Sequence, residues 1–285
     1  MQEKIKNLIG LHISVFLFGI SGIFGKLLVL SPMIIVLGRT LFASIALGFV
    51  LLYLKQGIRL HQKKDYVVLA FMGFILAFHW FAFFQAIQLS TVAIGLITFA
   101  TFPVFTVFLE PLFFKERIRL NYILLALLTF GGVIIIIPGF EFNHQYTHGA
   151  LWGIASGLSF SVLSVLNRKY VQHYSGYVVA FYQDFWAMVF LMPFLFVIQP
   201  VLHTRDIILL ILLGVVFTAL SHTLFIKSLA SVSAKKASII SSLEPVYGIV
   251  FAIFLLGEIP SLNVIVGAII ILGTAFYASV KSGIS

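Results

Sequence analysis

The sequence predicts an all-α membrane protein: ten transmembrane helices forming two inverted five-helix repeats, with both termini in the cytoplasm. Three observations predict it. The first is composition. Of 285 residues, 61% are hydrophobic and 9% charged, against about 25% charged and 45–50% apolar in a soluble domain. A water-soluble fold of this size cannot hide so much apolar surface, which excludes soluble enzymes, disordered chains and secreted disulfide scaffolds. The second is run length. Residues 122–138 (YILLALLTFGGVIIIIP) are apolar without alternation, as a helix that satisfies its own backbone in lipid requires and a β-barrel strand does not. The third is internal repetition. A shift of 142 residues sets Pro103 on Pro245, Val104 on Val246, Glu116 on Glu258, Asn121 on Asn263, Ala126 on Ala268 and Gly131 on Gly273.

Turn residues and charges divide the chain into apolar segments at 7–29, 32–54, 66–88, 92–114, 121–138, 149–168, 177–200, 206–230, 234–256 and 263–280. The N-terminus, MQEKIKNLIG, is basic and runs into the first segment without a small-residue cleavage pattern, so that segment reads as a retained helix. Helix 1 carries Gly19, Gly22 and Gly25; helix 6 carries Gly149, Gly153 and Gly157 at a four-residue spacing. Such rows let helices approach closely. The first repeat is residues 1–138 and the second 139–285. Five helices each, an odd number, makes the second half inverted, a recurrent transporter design with a site at the midplane. With the N-terminus inside, every Lys and Arg except Lys26, Arg39 and Arg205 falls on the cytoplasmic side. The net charge of +9 is therefore topological, and no nucleic-acid partner is expected.

Residues 243–273, LEPVYGIVFAIFLLGEIPSLNVIVGAIIILG, combine a Glu-Pro inside one helix, a Gly-Glu at its end and a glycine-bearing last helix. With the ten-helix, two-repeat pattern, this stretch resembles the EamA family of the drug/metabolite transporter superfamily across nearly the whole chain. The first-half counterpart departs from it, with Phe102 in place of Glu244 and Lys115 in place of Gly257. The resemblance implies the fold and a transport role; cavity residues that vary within the family set the cargo.

Ionisable side chains at membrane depth are costly unless paired or hydrated, and so mark candidate sites. Glu244 stands beside a proline that removes a backbone donor, where a carboxylate can bind an ammonium group or carry a proton. His79 and His222 fall near the middle of helices 3 and 8, one residue off repeat equivalence. Asp184 and Gln183 lie on helix 7, and Arg39 takes the corresponding place on helix 2. Trp80, Phe83 and Tyr247 complete the candidate substrate-binding set. Arg39, Pro103, Pro245, Glu116, Glu258, Gly153 and Gly157 are expected in gating or structural roles. Glu110 is expected to form interfacial salt bridges near Lys115 and Arg117.

No metal site is expected, because neither buried histidine has a ligand at i+3 or i+4, and no cofactor is expected. The absence of G-x-x-x-x-G-K-[ST], H-E-x-x-H and G-x-S-x-G patterns argues against nucleotide-driven transport and enzymatic chemistry. The reading is a secondary transporter moving a small polar or amphipathic metabolite, foremost an amino acid or relative with export the favoured direction, by alternating access. Its partners are the substrate, the bilayer and, with a buried carboxylate or histidine, protons; it works as a monomer or homodimer. A lipid flippase or a membrane-embedded enzyme is the alternative.

Overall fold

The computed structural model describes residues 2–114, 120–137 and 144–282. Those residues are helical with short connections. In chain order the helices are α1 (Gln2–Ser21), α2 (Phe24–Leu27), α3 (Pro32–Tyr53), α4 (Lys63–Leu89), α5 (Val92–Phe99), α6 (Phe102–Phe114), α7 (Leu120–Ile136), α8 (Gln145–Tyr170), α9 (Gly176–Ile198) and α10 (Thr204–Gly214). A π-helical segment, Val215–Leu220, joins α10 to α11 (Ser221–Ser228). Then come α12 (Ala234–Ser241), α13 (Glu244–Leu256) and α14 (Leu262–Ser282). Seven continuous or nearly continuous helical stretches are long and apolar enough to cross a membrane; Leu124–Ile136, Glu244–Leu256 and Leu262–Thr274 are shorter apolar helices. Glu116, the expected gate of the first half, and its neighbours Lys115 and Arg117 lie outside the described residues, as does the expected repeat boundary at 138–139.

Four segments expected as single helices are interrupted, the first of them at Gly22–Ile23, between α1 and α2. The fourth breaks at Ala100–Thr101 and the ninth at Ser242–Leu243. The cause of these last two breaks is proline. A proline disfavours helical geometry at the residue before it and leaves the carbonyl four residues back without a partner, so Pro103 and Pro245 sit in the first turn of a new helix. The breaks recur at the 142-residue offset: α5 and α12, and likewise α6 and α13, share their bounds under that shift. The eighth segment is interrupted by its π-helical turns.

Glycines set how closely these helices pack. A Cβ on Gly153 would stand 1.9 Å from Thr98 Oγ1, and one on Gly157 would stand 2.8 Å from the Phe99 carbonyl, so the α8 glycine row is a tight seat for α5. A Cβ on Gly19 would meet the Glu244 carbonyl at 2.7 Å, which presses α1 onto the start of α13. The two positions 142 residues away from these, Ser161 and Phe102, also meet: Ser161 Oγ donates to the Phe102 carbonyl at 2.7 Å. Thr129 and Thr274 join α7 to α14 at 2.8 Å.

Both ends of the central helices are tied. At the N-terminal end of α4, Tyr174 donates to Asp65 Oδ2 at 2.5 Å and accepts from the His61 backbone at 2.9 Å, while Tyr182 donates to the Ile58 carbonyl at 2.9 Å. Burial, followed by the bond to Asp65, raises the Tyr174 phenol above its ordinary pKa. Replacing Asp65 by Ala removes the acceptor from this phenol cluster. We expect a loss of about 1.5–3 kcal/mol, the range for a hydrogen bond to a charged group, read as a lower midpoint of thermal unfolding in detergent. At the other end of α4, Lys26 Nζ donates to the Ser90 carbonyl at 2.7 Å, and Glu258 Oε2, just after α13, accepts from the Val92 backbone at 2.9 Å and so caps α5.

Candidate functional site

The site is built where the interrupted helices meet. Phe18, Ser21, Arg39, Leu76, His79, Trp80, Phe83, Phe99, Phe160, His222 and Glu244 surround a cavity of about 20 Å³. That is room for about one water, whereas ligand pockets commonly measure roughly 300–1,000 Å³. The space at the polar centre is thus too small to hold a metabolite as it stands. Six of the sequence-derived candidates, Arg39, His79, Trp80, Phe83, His222 and Glu244, line this one cavity.

Arg39 is 1% exposed, and α10 with the π segment explains how so large a cation is held. A Cβ on Gly214 would stand 2.5 Å from Phe42 Cβ and 2.9 Å from the Arg39 carbonyl, so the glycine brings the segment against α3. The π turns then present Thr218, whose hydroxyl donates back to the Leu213 carbonyl at 2.8 Å and accepts from Arg39 Nε at 2.9 Å. Single-turn π segments are enriched at functional sites. The guanidinium carbon lies 3.8 Å from the centre of the Trp80 ring, a cation–π contact strengthened by desolvation. Arg39 Nη1 has no hydrogen-bond partner. Gly214→Ala is expected to separate Thr218 from Arg39 and to cut transport at least about tenfold, the equivalent of one lost hydrogen bond to a charged group. Uptake by reconstituted vesicles, normalised to folded protein, checks this.

The two histidines differ. His79 is fastened to α8: its Nδ1 lies 3.0 Å from the Ser156 carbonyl and 2.9 Å from Ser156 Oγ, and that hydroxyl lies 3.1 Å from the His79 carbonyl. A proton placed on Nδ1 to serve the Ser156 carbonyl leaves Nε2 as the acceptor of the neutral ring. His222 Nδ1, by contrast, has no hydrogen-bond partner and faces Asp184 Oδ2 at 3.6 Å. Of the pair, only His79 has a hydroxyl partner among the described residues.

Other candidates stand apart from the cavity. Asp184 is wholly buried behind His222, and both its oxygens lack hydrogen-bond partners. Gln183 donates to Asn167 Oδ1 at 2.6 Å, which engages it in α8–α9 packing. Tyr247 packs edge-on against Phe16 at 5.3 Å. Glu110 bridges to Arg168. Pro103 and Pro245 open α6 and α13, and Gly153 and Gly157 pack α8 on α5, all structural placements. Sequence reasoning missed Ser156, Thr218 and the aromatic wall of Phe18, Phe99 and Phe160. Thr218 stands four residues before His222, on the same helical face, the one clue the sequence offers for it. Among the described residues no group of three or more His, Asp or Glu could hold a metal ion.

Closely packed apolar helices, seven stretches of them long enough to cross a membrane, around a small, buried and charged centre mark a polytopic membrane protein. The chain belongs to the EamA-like transporter family, which it matches over residues 6–137 and 147–280. A Bacillus subtilis (strain 168) protein named as the uncharacterized transporter YxxF is 26% identical over 95% of this chain and 88% of its own length. The S-adenosylmethionine uptake transporters of Rickettsia conorii and Rickettsia prowazekii are 24% and 25% identical, over 84% of this chain and 80% of theirs. A solved crystal structure 17% identical in sequence has a TM-score of 0.69, covering 98% of this chain and 97% of that one, which shows a shared fold. The protein is an integral protein of the plasma membrane, in a family whose members are transporters.

Proposed function

We propose that the protein moves a small organic cation of the amino-acid type, S-adenosylmethionine or a basic amino acid among them, by alternating access. One observation carries this reading: the buried centre holds one guanidinium, Arg39, and two carboxylates, Asp184 and Glu244, none more than 4% exposed. With neutral imidazoles the formal sum is one negative charge. An unbalanced charge at membrane depth is costly, and a cargo of net charge +1 removes the imbalance. The unpartnered Arg39 Nη1 suits a cargo carboxylate. Glu244 suits its cationic centre, and the walls of Phe18, Phe83, Phe99 and Phe160 suit an apolar or aromatic remainder. The named cargo of the Rickettsia relatives carries these groups, which supports a cationic member of the amino-acid class over a neutral one.

Alternating access rests on the reading of residues 1–138 and 139–285 as inverted repeats with cytoplasmic termini. It is supported by helix breaks that recur at one offset and by ties at both ends of α4. Two related halves can exchange conformations, each opening one side. Counterflow into proteoliposomes with radiolabelled S-adenosylmethionine, lysine, leucine and glutamate tests the cargo class. We expect a cationic solute to accumulate at least about tenfold faster than leucine, the equivalent of 1.4 kcal/mol. Equal rates for all four, or none for any, would contradict the proposal.

A further inference from the structure

We infer that Asp184 and His222 form a proton-binding pair behind the cargo cavity, with His222 the only one of the two that touches the cavity. The pair is assembled from separate elements, Asp184 from α9 and His222 from α11. Asp184 is 0% and His222 2% exposed. Neither Asp184 oxygen has a hydrogen-bond donor, and the nearest charged or titratable contact is His222 Nδ1 at 3.6 Å. A bare carboxylate buried without donors costs several kcal/mol. A proton on His222 makes both ring nitrogens N–H groups whatever the tautomer and turns the 3.6 Å contact with Asp184 into an ion pair. The transfer is balanced: one proton arrives from water through the cavity that His222 lines, binds the imidazole, and leaves by the same ring when the cavity faces the other side.

Asp184 feels His222 from α11 and Arg39 from α3; Arg39 in turn feels Glu244 from α13; His79 on α4 feels Arg39 and His222. Of the two histidines, His79 already has its Nδ1 engaged by Ser156. A proton on His222 also supplies the single positive charge that the buried centre lacks, so proton and cationic cargo neutralise the same imbalance. The cargo consequence rests on the reading above; proton binding by the pair does not.

Trp80 provides the readout, because its ring meets the His222 ring edge-on at 5.5 Å, and a protonated imidazole quenches an adjacent indole. The full chain carrying Trp152→Phe and Trp186→Phe has Trp80 as its one tryptophan. In detergent without any cargo, its emission is titrated across about pH 5–9, the range in which histidine exchanges its charge. We expect one reversible one-proton transition, lost in His222→Gln, retained in His79→Gln and displaced in Asp184→Asn. A flat trace in the parent protein overturns the inference before any histidine is changed. So does a transition that survives His222→Gln, or one that Asp184→Asn leaves in place. Since no solute is added, failure here is separable from failure of the cargo assignment.

Discussion

Glu244→Gln is expected to lower cargo flux at least about thirtyfold while leaving the protein folded. The figure follows from the cost of removing one partner of a buried charge pair, about 2–5 kcal/mol, at 1.4 kcal/mol for each factor of ten. The substitution keeps the volume and shape of the side chain, so α1 still seats against the Glu244 carbonyl through Gly19. What changes is charge. The centre loses one of its two carboxylates and becomes formally neutral around Arg39, with nothing left for a cationic cargo to balance. The loss should therefore fall on cationic solutes and spare whatever residual flux a neutral solute has. Paired measurements of lysine and leucine counterflow, normalised to folded protein, check it. An unchanged cationic flux would place the cargo elsewhere.

A structural effect is also expected at Gly248, and its sign is decided by comparing two terms. In an unobstructed helix, Gly→Ala stabilises by about 0.5–1 kcal/mol. At Gly248 the new methyl would stand 2.7 Å from the Gly19 carbonyl oxygen and 2.2 Å from Leu96 Cδ1. Leu96 can rotate away, but the Gly19 carbonyl is backbone of α1 and can move only with its helix. Overpacking of that kind costs about 1–3 kcal/mol, which outweighs the helix-propensity gain. Gly248→Ala should lower the unfolding midpoint in detergent. Gly273→Ala, where a Cβ meets nothing within 4 Å, should raise it or leave it unchanged. Because the Gly19–Gly248 contact also positions Glu244 at the start of α13, Gly248→Ala is expected to reduce flux as well.

Much of the site was legible because lipid makes polar residues conspicuous. Arg39, His79, His222 and Glu244 stand out in apolar runs, and all four line one cavity. The helical class and membrane residence followed from composition. The helix breaks were less legible. Pro103 and Pro245 were visible, but only short polar interruptions (Thr98 and Thr101, Ser241, Ser242 and Glu244) accompany them within long apolar segments, so the segments read as continuous. The π segment was not legible at all: no proline or polar cluster marks residues 215–220, and its Thr218 is placed by the contact of Gly214 with α3. Ser156 was hidden in the small-residue row of α8, where spacing suggests packing and not a bond to His79. Asp184 was found, but its position behind His222 depends on how α9 meets α11, which no single-helix periodicity records.

The central claim is that the cavity between Arg39 and Glu244 opens in turn to each side of the membrane. The chain contains no cysteine, so one introduced thiol reports on one position. Ser21→Cys places it in the cavity wall, where Ser21 is 3% exposed, and Ile45→Cys places a control on the exposed face of α3. The decisive measurement is labelling by a membrane-impermeant thiol reagent applied separately to right-side-out and inside-out vesicles. The result predicted is modification of Ser21→Cys from both sides and of Ile45→Cys from neither. Labelling of Ser21→Cys from one side only, or from neither, would contradict alternating access through this cavity.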